Sequence, residues 1–313
     1  MRYRPLGRSG LLVSVVGLGC NNFGGRIDQD ATTAVIDACF DHGVTLLDTA
    51  DSYGNKGGSE TMLGIALKGR RDEVVLATKF GSDMAGAYGS DHGARGSRRY
   101  VRRAVEGSLR RLQTDHIDLY QYHKPDGITP VEETLAALAE LVTEGKVRYI
   151  GSSNFPGWML ADAAWRARTD HLPPYISEQS ELSWLDRTAE AELLPACREY
   201  GVGFLPYFPL ASGLLTGKYL RGSTAPTGTR LASRTISDGE YDAVETVTTF
   251  ADKQGVTVLE VAIGGLAAVE GVSSVIAGAT KPVQVAGNVA AGDWTPSAVD
   301  LADLRAALSD ATA

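Results

Sequence analysis

Asp48, Tyr53, Lys79 and His123 combine the residue types that proton delivery to a polarised oxygen requires. A phenol titrates near ~10, so a tyrosine donates poorly at pH 7 unless a cation stabilises its phenolate. An ammonium beside Tyr53 would supply that, each tenfold gain in acidity being worth about 1.36 kcal/mol. Lys79 is the candidate, with Asp48 to hold it charged and in place. His123 would point a ring nitrogen at the substrate oxygen, fixing its orientation and helping polarise it. Such a quartet gives a proton to a carbonyl oxygen while hydride arrives from elsewhere. The chain has no hydride of its own, so a nicotinamide is implied.

Each residue also has a plainer reading. Asp48 suits a cap, Lys79 suits a snorkelling strand end, and His123 suits a satisfied core imidazole. Tyr53 lies in Ser-Tyr-Gly, which is ordinary turn chemistry. The other histidines, His42, His92, His116 and His171, fall in helix ends or loops and read as solvated surface.

The elements that carry the quartet decide between these readings. Short β-rich apolar runs recur at 15–19, 44–49, 74–79, 117–123, 147–151, 175–179, 203–207 and 274–278. Amphipathic helical segments follow them at 30–41, 60–68, 97–112, 131–144, 157–168, 189–200, 238–254 and 282–290. Further helices are expected at 258–269 and 295–308. Asp30, Ser97 and Asp238 are the expected N-caps, and Gly43, Gly145, Gly201 and Gly255 stand just past helix ends. Eight alternating units predict a (β/α)8 TIM barrel, with a doubly wound open sheet as the competitor. Long loops are expected after the third strand (81–96) and the seventh (211–237). Residues 2–6 and 11–14 flank Gly-Arg-Ser-Gly and predict a β-hairpin that covers the barrel bottom. Polarity breaks into the strands at the same end each time: Asp48, Lys79, His123, Ser153 and Asn154, Gln179, Tyr207. In a barrel all those ends converge on one mouth, where active sites sit.

Asp48-Thr-Ala-Asp-Ser-Tyr53-Gly, Ala77-Thr-Lys79, Leu119-Tyr-Gln-Tyr-His123 and Ile150-Gly-Ser-Ser-Asn154-Phe together resemble the aldo-keto reductase superfamily, in order and over nearly the whole chain. The resemblance implies a barrel that reduces aldehydes or ketones with a nicotinamide, usually NADPH, with NADH as the alternative. It implies a catalytic tetrad at Asp48, Tyr53, Lys79 and His123, the tyrosine donating the proton. It places Ser153, Asn154 and Gln179 on the nicotinamide carboxamide and Tyr207 against its ring, with Gly19, Cys20 and Asp48 also at the cofactor. The stretch from Phe208, Pro209, Leu210 and Ala211 to Lys218 resembles a pyrophosphate-wrapping segment. Gly278, Thr280, Lys281, Gln284 and Asn288 resemble the grip on the adenosine 2′-phosphate and adenine, and Arg230 is a further phosphate candidate. Phe208 stands where the family commonly has serine, and Gly287 where it commonly has glutamate. Substrate selection is expected from Asn21, Met84 and Tyr88 beside Tyr53 and His123, barrel enzymes varying their loops over constant mouth chemistry.

A second function class is open: a nicotinamide-binding regulatory subunit that docks on another protein with little turnover, as in the potassium-channel β-subunit branch. An isomerase or aldolase that uses Lys79 as an imine-forming amine is a third, but a neighbouring Asp48 favours the charged ammonium.

Composition removes other classes. The 313 residues carry a net charge of −8, which disfavours nucleic acid or an anionic membrane as partner. Hydrophobic residues at 43% and charged ones at 22% exclude disorder, and no interdomain linker is visible, so one barrel domain over 1–313 is expected. Cys20, Cys39 and Cys197 form no metal or disulfide spacing, and no apolar run approaches a membrane span. A cytoplasmic location is therefore expected. Gly17-Leu-Gly19-Cys-Asn-Asn22 begins like a dinucleotide fingerprint, but Asn22 takes the third glycine's place. Nothing in the sequence sets an oligomeric state.

Overall fold

The computed structural model describes residues 1–219, 221–222, 231 and 234–311, excepting the side chains of 310 and 311. β1 (Tyr3–Pro5) and β2 (Leu12–Ser14) pair antiparallel as the expected hairpin. Eight parallel strands follow: β3 (Val16–Gly19), β4 (Leu46–Asp48), β5 (Val75–Phe80), β6 (Ile117–Tyr122), β7 (Val147–Ser153), β8 (Tyr175–Gln179), β9 (Gly203–Phe204) and β10 (Val275–Gly278). They lie in the order β10-β3-β4-β5-β6-β7-β8-β9. The two ends meet: the Phe204 amide donates to the Gly271 carbonyl (2.9 Å), the Ser273 amide to the Phe204 carbonyl (2.9 Å), and the Ile276 amide to the Pro206 carbonyl (3.0 Å). That closure makes a (β/α)8 barrel and removes the open doubly wound sheet, whose edges stay apart.

The helices are α1 (Gln29–Asp41), α2 (Tyr53–Ala66), α3 (Arg98–Leu112), α4 (Val131–Thr143), α5 (Gly157–Thr169), α6 (Leu193–Tyr200), α7 (Asp238–Gln254), α8 (Val258–Glu260), α9 (Pro282–Ala291) and α10 (Ala298–Ala311). Two caps differ from expectation. Asp28, not Asp30, caps α1, accepting the Ala31 amide at 3.0 Å, because its carboxylate stands three residues ahead of an orphan donor. Ser237, not Asp238, caps α7, in a reciprocal capping box with Glu240. The segment 189–200 also divides, into a 3-10 turn Thr188–Glu190 and α6, and α8 runs on as a π-helical stretch, Val261–Gly265.

Strand periodicity builds the interior in layers. Leu46, Ala77, Leu119, Leu205 and Ile276 form one buried cluster with Leu6 and Val13, which places the hairpin under the barrel floor. Two residues further along their strands, on the same inward face, stand Asp48, Lys79 and Gln121. The barrel is thus apolar below and polar at its C-terminal mouth. Among the described residues no helix is long and apolar enough to cross a membrane, and no cluster could hold a metal ion.

Candidate active site

Lys79 is fully buried at the end of β5. Its Nζ donates to Asp48 Oδ2 (2.6 Å), to the Thr49 carbonyl (3.0 Å) and to Tyr53 Oη (3.4 Å). Asp48 has a second set of partners: its Oδ1 accepts from Gln121 Nε2 and Gln179 Nε2, both at 3.0 Å. A buried carboxylate and ammonium with every polar position engaged is the condition under which such a pair is tolerated. Burial alone would lower the Lys79 pKa, but Asp48 and Tyr53 raise it overall, so the group is an ammonium.

For Tyr53 the structure corrects the expectation of a depressed pKa. Burial pushes its phenol above 10 and outweighs the opposing pull of Lys79. The ammonium limits the rise; it does not reverse it. Tyr53 therefore holds its proton at neutral pH, as a proton donor must.

His123 stands edge-on to Tyr53, ring centroids 5.7 Å apart. Its Nδ1 lies 3.0 Å from Ser82 Oγ, which leaves Nε2 as the ring's other polar atom. Burial, then Lys79 and Lys124, depress its pKa to about 3, so the imidazole is neutral at physiological pH. The unfolded chain binds a proton here below about 6.5 and the folded chain does not, so this group makes stability rise with pH from about 3 to 6.5. His123 ring resonances are expected to stay flat between pH 5 and 8 in an NMR titration. A midpoint near 6.5 would contradict the neutral assignment.

The backbone around the quartet is strained. After Tyr53, residues Gly54, Asn55, Lys56 and Gly57 are left-handed, at φ of 63°, 60°, 68° and 115°. L-residues pay roughly 1–2 kcal/mol each for this, and such strain collects at functional sites. Asn154, at φ 59°, ends β7 the same way. Its Nδ2 donates to the His123 carbonyl (2.9 Å) and its Oδ1 accepts from Tyr207 Oη (2.8 Å). Glu178 holds this turn from below: Ser180 Oγ donates to its Oε1 (2.7 Å) and accepts the Asn154 amide (3.2 Å), while Ser152 Oγ donates to Oε2. Burial pushes the Glu178 carboxyl up to about 7.

Tyr53 and His123 open onto a cleft of about 620 Å³. Gly19, Asn21, Asp48, Ser153, Asn154 and Gln179 line it. Tyr207, Phe208, Pro209, Leu210 and Lys218, from the segment after β9, also line it, as do Gly278, Thr280, Lys281 and Gln284, from the end of β10 to α9. Gln284 Oε1 accepts from the amides of Thr280 (2.7 Å) and Lys281 (3.2 Å). Other expected residues lie elsewhere. Cys20, Asn288 and Ala211 are not among the residues that line the cleft, and the first two are buried. Met84 and Tyr88 are buried and do not line it: Tyr88 packs edge-on against Tyr100 and accepts from Arg111. Arg230 lies outside the described residues.

Sequence reasoning missed Gln121, whose place between two tyrosines in an apolar strand looks like core, and Arg26, which lines the cleft from the loop after β3. Among the described residues the cleft walls carry three cations, Arg26, Lys218 and Lys281, against one carboxylate, the Asp48 already paired to Lys79. A cleft lined by three cations and by aromatic Tyr207 suits a dinucleotide, whose phosphates need charge and whose base needs a flat face.

The Aldo/keto reductase family model matches residues 15–309. An uncharacterized oxidoreductase, YrpG, of Bacillus subtilis (strain 168) is 44% identical over 75% of this chain and 73% of its own. A probable voltage-gated potassium channel subunit beta of Arabidopsis thaliana is 34% identical, covering 95% and 92% of the two chains. L-glyceraldehyde 3-phosphate reductase of Escherichia coli (strain K12) is 32% identical over 99% of this chain and 93% of its own.

Proposed function

Because the chain belongs to the aldo/keto reductase family, we propose that it reduces an aldehyde or ketone to an alcohol with NADPH, Tyr53 giving the proton. The observation that carries this reading is Lys79 Nζ held between Asp48 and Tyr53 while Tyr53 and His123 both face the cleft. A bound nicotinamide supplies the hydride. Tyr53 Oη transfers its proton to the carbonyl oxygen as negative charge builds there, and Lys79 stabilises the phenolate left behind. Neutral His123 donates a hydrogen bond to that oxygen from Nε2, its Nδ1 being held by Ser82. Asp48, fixed by Gln121 and Gln179, keeps Lys79 from turning away.

Steady-state oxidation of NADPH with a panel of simple aldehydes and ketones tests this. Alcohol formed mole for mole supports the reductase. Tight NADPH binding with no turnover would favour a regulatory subunit, a reading to which the relatives named as probable channel subunits lend support.

Preference for NADPH over NADH rests on cations that meet the additional phosphate, and Lys281, exposed in the cleft at the start of α9, is our candidate. A charge-assisted hydrogen bond contributes about 1.5–3 kcal/mol, so Lys281→Ala should weaken NADPH binding about tenfold and leave NADH nearly unchanged. Fluorescence titration of both cofactors reads this. Unchanged NADPH affinity would acquit Lys281.

A further inference from the structure

Behind the catalytic turn lies a buried polar cluster that the chemistry above does not use. Arg111, at the end of α3, donates from Nε to Glu60 Oε2 (2.7 Å) and from Nη2 to Tyr88 Oη (2.7 Å). Glu60, fully buried, also accepts from Thr78 Oγ1 (2.6 Å), the residue before Lys79. Asp51, two residues before Tyr53, is fully buried beside these groups; burial and Glu60 push its carboxyl well up, and Arg111 opposes them. Gly57 closes the left-handed turn that begins after Tyr53. A Cβ there would fall 2.4 Å from Arg111 Cδ and 2.6 Å from Nε, so the arginine stem fills the space a side chain would take.

We propose that Arg111 is a positioning residue for Tyr53: it props the left-handed turn at Gly57, ties that turn through Glu60 and Thr78 to the strand of Lys79, and ties both through Tyr88 to loop 81–96. The loop bears on the quartet a second time, since Ser82 holds His123 Nδ1. The loop after β5 thus acts on the reaction by fixing Tyr53 and His123 relative to each other rather than by touching substrate. Tyr53 is the residue most exposed to error, because its turn is strained and its contact with Lys79 is long at 3.4 Å. This inference rests on the carbonyl-reductase reading, and its test separates the two.

Arg111→Ala removes the prop with the cation. Arg111→Lys keeps a cation beside buried Glu60 but gives up the planar fork that joins Glu60 to Tyr88, so it decides the matter if loss of that cation prevents folding. Both variants are read by the 13Cζ-tyrosine NMR resonance of Tyr53, assigned with Tyr53→Phe, and by kcat against cofactor Kd. A misplacement of ~1 Å costs up to about 10²-fold, so kcat should fall about 10- to 100-fold with cofactor Kd within about twofold. The Tyr53 resonance should move while that of Tyr175, in β8, stays in place. An unmoved Tyr53 resonance in either folded variant overturns the proposal. A moved resonance in a protein whose wild type reduces no carbonyl would sustain the positioning role and defeat the reductase reading.

Discussion

Replacing Tyr53 by phenylalanine is expected to lower kcat by at least about 10²-fold while NADPH affinity stays within about twofold. The ring keeps its packing against His123, and Lys79 keeps its bonds to Asp48 and the Thr49 carbonyl, so the fold and the cofactor walls are untouched. Only the proton is lost. A hydride delivered to the carbonyl carbon would then leave an alkoxide with no donor in reach except His123 or water. Rate constants from NADPH consumption at saturating substrate check this. Wild-type turnover in the variant would mean that another group donates.

Lys79→Met should be costlier still, because it damages both stability and chemistry. Lys79 and Asp48 form a buried pair, and removing one partner of such a pair typically costs about 3–5 kcal/mol. The Gln121 and Gln179 amides would remain on Asp48 but carry no compensating charge. Urea unfolding of wild type and variant at pH 7 measures the loss. The chemical effect has a definite sign. Burial already raises the Tyr53 pKa and Lys79 opposes that rise, so deleting the ammonium raises it further. Reduction requires Tyr53 protonated, so the fall of kcat/KM at high pH should move to higher pH as kcat drops by at least about 10²-fold. An unmoved alkaline limb with wild-type kcat would place Lys79 outside the site.

The barrel and the quartet are legible in the sequence because both depend on short-range pattern. Strand ends that turn polar at Asp48, Lys79 and His123 read directly from an alternation of two. Residues whose partners are remote in sequence are not legible. Tyr88, an aromatic in a long loop near the mouth, looks like a substrate contact until Arg111, far off in sequence, appears beside it. Gln121 makes the same point from inside a strand: only the closed barrel brings it and Gln179 onto one carboxylate oxygen. The direction in which the Tyr53 pKa moves is hidden for a related reason. Lys79 is visible in the sequence, whereas the burial that opposes it belongs to the fold. At the helix starts, Asp28 and Asp30 compete within three residues, and only local backbone geometry chooses between them.

The central claim is that this chain moves a hydride to a carbonyl carbon and a proton from Tyr53 to its oxygen. Incubating the protein with an aldehyde and NADPH deuterated at the transferring C4 position tests it most directly. The predicted result is an alcohol with one deuterium on the carbinol carbon, formed in step with NADP+ and at least about 10²-fold more slowly by Tyr53→Phe. An alcohol without deuterium, or cofactor bound tightly with no alcohol formed from any aldehyde or ketone, would contradict it.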